Sequence, residues 1–320
     1  MKLTKLAVGF AFVLVALVPL SALDLPENTA LSITTDFAFS PKTDYVAGQD
    51  HFAPVTGFYG GLEGRIVGKF TYKIPTPLGD NWLLNSANVE LASTFELTPI
   101  TMKPGIQATF TPLPFLVFSA GTEIGTGWTI AGLKGTGTWN GINDYEACTP
   151  FSKWFWKAWA QATFQFDTGA LIPGDWTHVV MLASYQIYYH SLLGEADKDI
   201  WLWQNSGEKV NGLQQYVNAV LAYQMPLVIK RVGVMFEMDG YLSDDAFTNA
   251  AYDGNFMSIS ISPLAQFEFD SHSALPFLVG FSSRRSFSTS HTAGGEEPLL
   301  TTTGREWYFK RIALSYTYTF

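Results

Sequence analysis

Cysteine, charge and long apolar runs are all scarce in this chain of 320 residues. The single cysteine, Cys148, cannot close an internal disulfide, so a disulfide-stapled secreted fold is excluded. Beyond residue 22 no apolar run approaches the roughly 20 residues of a helical span, which excludes a helical inner-membrane protein. Metal-ligand spacings such as H-x-x-x-H and phosphate-binding glycine motifs are missing, so neither a metal nor a cofactor is expected. Charged residues make up 15% of the chain, where soluble domains carry about a quarter.

What is present begins with residues 1–22, where Lys2 and Lys5 precede an uncharged run and a small-residue site at Ser21-Ala22. That pattern predicts a signal peptide cleaved after Ala22, leaving residues 23–320 as one domain. Without those two lysines the 19 basic residues become 17 against 28 acidic ones, a formal charge of −11. An acidic balance argues against nucleic acid as a partner. Aromatic residues reach 15% and glycines number 28. Such a composition suits a protein that shows apolar side chains to lipid and keeps polar ones inside.

Apolar and polar residues alternate in twelve segments: 31–39, 57–74, 87–98, 100–111, 115–128, 153–167, 177–190, 213–225, 231–242, 257–269, 275–287 and 305–320. In 153–167, for example, Trp154, Trp156, Ala158, Ala160, Ala162, Phe164 and Phe166 oppose Lys153, Lys157, Gln161, Thr163, Gln165 and Asp167. A period of two marks strands with one apolar face. Ordinary strands run about five or six residues, whereas most of these keep their parity for about ten or more, enough to cross a membrane. Between them, connections alternate between long loops and mostly short, proline-rich turns, as in barrels with outer loops and periplasmic turns. Pro104 and Pro263 sit inside segments and predict bulges or shifted boundaries.

The last segment reads REWYFKRIALSYTYTF, with Tyr308, Ile312, Leu314, Tyr316, Tyr318 and Phe320 on one parity. It resembles the C-terminal signal strand of bacterial outer-membrane β-barrels. The resemblance implies that Tyr316, Tyr318 and Phe320 are read by the barrel-assembly machinery. The expected fold is therefore all-β: a transmembrane antiparallel up-and-down β-barrel of about twelve strands in the bacterial outer membrane, in contact with its lipid.

The polar parity would line the lumen. Glu63, Arg65, Lys69, Glu90, Lys103, Lys157, Arg231, Glu237 and Arg284 are the candidate lumen or selectivity residues, and Arg305 and Arg311 share their parity. Either they form ion pairs that stiffen the barrel or they set the selectivity of a hydrated channel. Trp82, Trp128, Trp154, Trp176, Trp307 and Tyr308, near segment ends, are expected in interfacial girdles. Of the longest outer loops, 129–152 is rich in glycine and 191–212 carries Trp201 and Trp203, an apolar pair awkward in water; one of the two is expected to fold into the lumen or cap it, narrowing a pore, with binding of a surface partner as the alternative.

Enzyme signatures are thin. His190-Ser191 lacks the surroundings of outer-membrane phospholipases, and Asp270-Ser271-His272 has the Asp-x-His spacing of outer-membrane proteases but falls in an inner turn. The expectation is a porin-like passive channel for small polar solutes rather than an enzyme. A closed barrel whose outer loops bind a partner is the alternative, and a barrel hydrolase comes third.

Overall fold

Long alternating segments bury one face only if the sheet they form closes or is covered, because every backbone N–H and C=O needs a partner within a membrane. The computed structural model, which describes residues 25–81, 83–141, 144–291 and 297–320, shows closure. The expected signal peptide and Trp82 lie outside the described residues. Twelve strands form the wall: β1 Thr29–Thr43, β2 Val55–Pro75, β3 Asn88–Leu97, β4 Thr101–Leu113, β5 Leu116–Gly127 and β6 Trp154–Asp167. They continue as β7 His178–Leu192, β8 Gly212–Gln224, β9 Ile229–Tyr241, β10 Ser258–Glu268, β11 Ser273–Phe287 and β12 Thr302–Thr319. Each pairs antiparallel with the next, and β12 returns to β1 from Ser32↔Thr319 to Phe39↔Ile312. All twelve alternating segments become these strands.

Side-chain exposure identifies the faces. Leu91, Phe95, Ile106, Phe118, Phe164, Leu221, Val234, Ile312 and Leu314 are exposed on the outside, while their polar neighbours point inward. The prolines do not break the strands. Pro104 pairs in register with Phe95, and the β4–β5 ladder skips from Met102 to Gly105 without a shift. Pro263 likewise pairs with Val234, and the β10–β11 ladder skips from Ile261 to Leu264. A missing N–H is absorbed as a local gap, where a bulge or a shifted boundary was expected.

One bulge does change the reading of the sequence. Between Gly280↔Arg311 and Phe281↔Phe309 the register of β11 and β12 shifts by one residue. Above it the parity of β12 inverts. Tyr308 therefore pairs with the inward Ser282 and stacks under Arg284, instead of joining the outer girdle. Arg305 leaves the lumen and hydrogen-bonds Met257 O at 2.7 Å and Ser283 Oγ at 2.5 Å. Both expectations fail for the same reason: strict alternation cannot see an inserted residue.

At this height the seam between β1 and β12 also ends. Continued pairing would set Pro41 against Lys310, but Pro41 offers no N–H, and β1 is bulged between Ser40 and Thr43. Above the break β12 instead accepts a short parallel strand from the first outer loop, His51–Phe52, at Glu306 and Trp307.

The outer loops carry structure of their own. Strands Thr136–Trp139 and Tyr145–Ala147, between β5 and β6, join Trp201–Trp203 and Ser206–Lys209, between β7 and β8, in one four-stranded sheet. Gln204 and Asn205 turn the second hairpin with φ of 52° and 59°. Two consecutive positive φ values are the mark of a type I′ turn, for which asparagine is well suited.

Candidate functional site: the lumen and its loop-built constriction

The hairpin built on Trp201–Trp203 reaches across the mouth. Its base emerges between β7 and β8. Its tip residue Gln204 donates from Nε2 to Glu96 Oε1 on β3 at 2.8 Å and to Thr101 Oγ1 on β4 at 3.0 Å. Trp201 is fully buried and Trp203 is 5% exposed. Trp203 stacks on the inward ring of Phe155, with centroids 4.6 Å apart, and lies against the bare backbone of Gly125. A Cβ at Gly125 would stand 2.7 Å from the indole, so glycine is what lets the ring seat. Trp201 donates its Nε1–H to Asn211 Oδ1 at 3.0 Å, which satisfies its polar edge. The two candidate tryptophans are thus brought together inside the mouth.

Behind the hairpin, Val210, Tyr241, Phe247, Tyr252 and Phe287 form a second buried cluster. Glu208, at the hairpin's end, accepts a hydrogen bond from Tyr252 Oη and donates its backbone N–H to Tyr145 Oη at 2.6 Å. Burial, with Glu297 nearby, pushes the Glu208 carboxyl above the ordinary carboxylate range. Burial pushes the neighbouring Lys209 ammonium down.

Below the hairpin, charges of alternating sign step along adjacent strands. Arg65 on β2 pairs with Asp36 on β1 at 2.5 Å and with Glu96 on β3 at 3.4 Å. Lys103 on β4 pairs with Glu96 at 3.6 Å and with Glu123 on β5 at 2.9 Å. Lys157 on β6 lies 4.1 Å over the Tyr188 ring of β7, and Tyr188 donates to Asp239 on β9 at 2.7 Å. Lys69 pairs with Glu90 at 3.3 Å, Arg311 with Glu63 at 3.0 Å, and Arg284 with Glu306.

The candidate charges therefore divide. Arg65, Lys69, Glu90, Lys103 and Arg284 each hold an opposite charge on a neighbouring strand, and Glu63 reaches across β1 to Arg311. Lys157, Arg231 and Glu237 have neutral partners: the Tyr188 ring, the amide oxygens of Gln224 and Gln266 at 2.8 and 3.3 Å, and the Tyr216 hydroxyl at 2.5 Å. Gln204, Glu208, Lys209 and Glu306 escaped the sequence reading. The Gln-Asn turn between Trp-Leu-Trp and a polar strand was the one signal that could have exposed the hairpin.

The occlusion is uneven. The loop sheet and the aromatic clusters cover inward residues from β3 round to β11, and Glu306 on β12 is buried against Arg284, whereas the side chains of Glu63, Arg65 and Arg311 on β2 and β12 are 60%, 52% and 39% exposed. Glu63 and Arg311 bridge across β1 above the small, buried Ala38.

The catalytic-looking pairs are engaged otherwise. Asp270 Oδ1 accepts from His272 N, Ser273 N and Ser273 Oγ, within 2.8 Å, as a turn-forming Asp does. His190 is buried, with Nε2 3.0 Å from both Val210 O and Tyr241 Oη. Trp154 and Trp176 are exposed outside the barrel, as girdle residues are.

A closed antiparallel ladder, an outward apolar band and a polar lumen decide the class. The chain is a bacterial outer-membrane β-barrel. No family model and no curated protein matches it in sequence. Among solved structures, an outer membrane channel from Pseudomonas putida F1 is similar over 95% of this chain and 100% of its own, at 9% identity and a TM-score of 0.49. The KdgM porin follows over 91% and 99%, at 7% identity and 0.37. The β domain of the Bordetella autotransporter BrkA covers 91% and 100%, at 8% identity and 0.40. The barrel's identity rests on its own ladder and its own two faces.

Proposed function

We propose that this barrel is a passive outer-membrane channel for small polar solutes, with its open passage on the β12–β1–β2 side of the mouth. The observation that carries the reading is the uneven constriction: the inserted hairpin packs into the mouth between Phe155 and Glu96, while the side chains of Glu63, Arg65 and Arg311 remain in contact with water. Alternating charges held in wall-hugging pairs keep those side chains from collapsing across the gap, and an exposed charge row acts on ions in transit. On this reading the protein carries no catalytic function, needs no cofactor, and meets outer-membrane lipid along its apolar band.

The strand β12 has a second role in the proposal. Tyr316 and Tyr318 pair with Thr35 and Ile33 of β1, so the aromatic end that resembles an assembly signal is also the stretch that shuts the wall.

Conductance of the purified protein in planar bilayers tests the channel. Discrete ionic steps are expected. A silent bilayer, with folding shown by heat-modifiable migration, would reject the channel in favour of a closed barrel that binds a partner through its outer loops.

A further inference from the structure

Porin lumens are polar, but one part of this wall is not. Leu182 on β7 pairs with Val220 on β8, and Val220 with Met235 on β9. One step down β9, Gly233 pairs with Leu264 on β10, and Leu264 pairs with Leu278 on β11. Leu278 pairs with Ala313 on β12, and Ala313 with Ala38 on β1. The six larger positions, Leu182 to Ala313, have inward parity and are only partly buried, so they face lumen space. Strands in a barrel are tilted by about 35–45°. A path along paired residues therefore also travels along the axis. This one climbs from the periplasmic part of β7 to Ala38, beneath the wetted Glu63–Arg311 pair. Across the lumen, β2 to β4 present Lys69, Glu90, Gln107 and Thr109 instead.

Two charges flank the track. Arg231, on its periplasmic side, is pinned by Gln224 and Gln266, and among the described residues no carboxylate lies within ion-pair distance of it, Asp167 acting on it from farther off. Only part of its five-donor fork is used, which leaves N–H groups for an incoming carboxylate. Glu237, on the extracellular side, takes the Tyr216 hydroxyl and repels an anion there.

We propose that the track is a binding path for small anionic amphiphiles, carboxylates with an aliphatic or aromatic body. The body lies on Val220, Leu264 and Leu278 and the carboxylate on Arg231. The assignment rests on the channel reading and adds a solute class to it. Apolar wall exposed to water gains by covering itself with the solute's body, and the arginine fixes which end leads.

The test uses the full chain in planar bilayers, with potassium chloride current as the readout and sodium acetate, sodium hexanoate and 1-hexanol as probes. Hexanoate is expected to interrupt the current at about a tenfold lower concentration than acetate, because of its extra methylenes. Leu264→Ser combined with Leu278→Ser abolishes that difference. Arg231→Gln weakens hexanoate and leaves 1-hexanol unchanged. Met235→Gln replaces the double variant if the latter fails to show heat-modifiable migration. Normal chloride current with acetate and hexanoate equally effective overturns the track, as does a folded track variant that still prefers hexanoate. Absence of chloride current in the wild type defeats the channel instead. Saturation-transfer NMR of hexanoate on barrels in nanodiscs then decides the track: signal lost in the variant supports it, and signal retained overturns it.

Discussion

The two sides of the barrel mouth start from the same alternating strands and end differently. Over β6 to β9 the inward residues near the rim are Phe155, Tyr188, His190, Gln214 and Tyr241, and the loops above them supply Trp201, Trp203 and Val210. Aromatic wall meets aromatic loop, water is expelled, and the mouth is filled. On β12, β1 and β2 the inward residues Arg311, Asp36, Glu63 and Arg65 are charged and pair with one another, and the first outer loop lays Tyr45 on Arg284 of β11 instead. Desolvating those charges would cost more than their pairing returns, and the proposed passage runs beside them for that reason. How the rim is covered is thus set by a handful of residues, while the wall below differs in its own way, apolar along β7 to β12 and polar on β2 to β4.

The comparison is broken most directly by removing residues 197–205. The filled side then opens, and single-channel conductance should more than about double if the hairpin is the constriction; an unchanged step size would refute that role. Next in size, Trp203→Ala removes the stack on Phe155 and leaves a cavity worth about 3–5 kcal/mol of local anchoring. The hairpin should become sensitive to limited proteolysis while the barrel keeps its heat-modifiable migration. On the open side, Arg65→Gln takes one cation from the wetted row. An exposed ion pair is worth less than about 1 kcal/mol. A shift toward cation selectivity of no more than a few-fold, read as a reversal potential in a salt gradient, is therefore expected.

The smallest effect is a pH dependence of the filled side. Glu208 titrates above the ordinary carboxylate range when the hairpin is docked. The docked state therefore binds more protons than the undocked one across that window. The contribution of Glu208 to docking is therefore greatest in acid and is lost as pH rises from the ordinary carboxylate range through the raised value, and the difference between wild type and the Glu208 variant isolates it from other titrating groups. Proteolysis of the hairpin followed against pH measures this, and Glu208→Gln should flatten the profile.

Much of this was legible in the residues. Strand count, order and faces follow from parity held over long segments, because a barrel in lipid must alternate from rim to rim. The inward placement of Trp201 and Trp203 also follows from their apolarity in an otherwise polar loop. Illegible were features that depend on pairing partners. The bulge that turns Tyr308 inward and Arg305 outward is one inserted residue, invisible until β11 is laid beside β12. The tip contact of Gln204 with Glu96 joins residues 108 apart in the chain, and no local pattern announces it. The apolar track is of the same kind: each strand gives it only one or two residues, and pairing alone makes it continuous.

The interrupted seam has a consequence in time. Tyr308 to Arg311 of β12 and Ser40 to Lys42 of β1 face one another without a shared register. Lipid cannot satisfy the amides left over, so water from the lumen side must. Local opening should begin there, and amide hydrogens of Tyr308 to Arg311 should exchange with solvent ahead of those from Ile312 to Thr319. The place where the two ends of the sheet meet is then also where the wall breathes first.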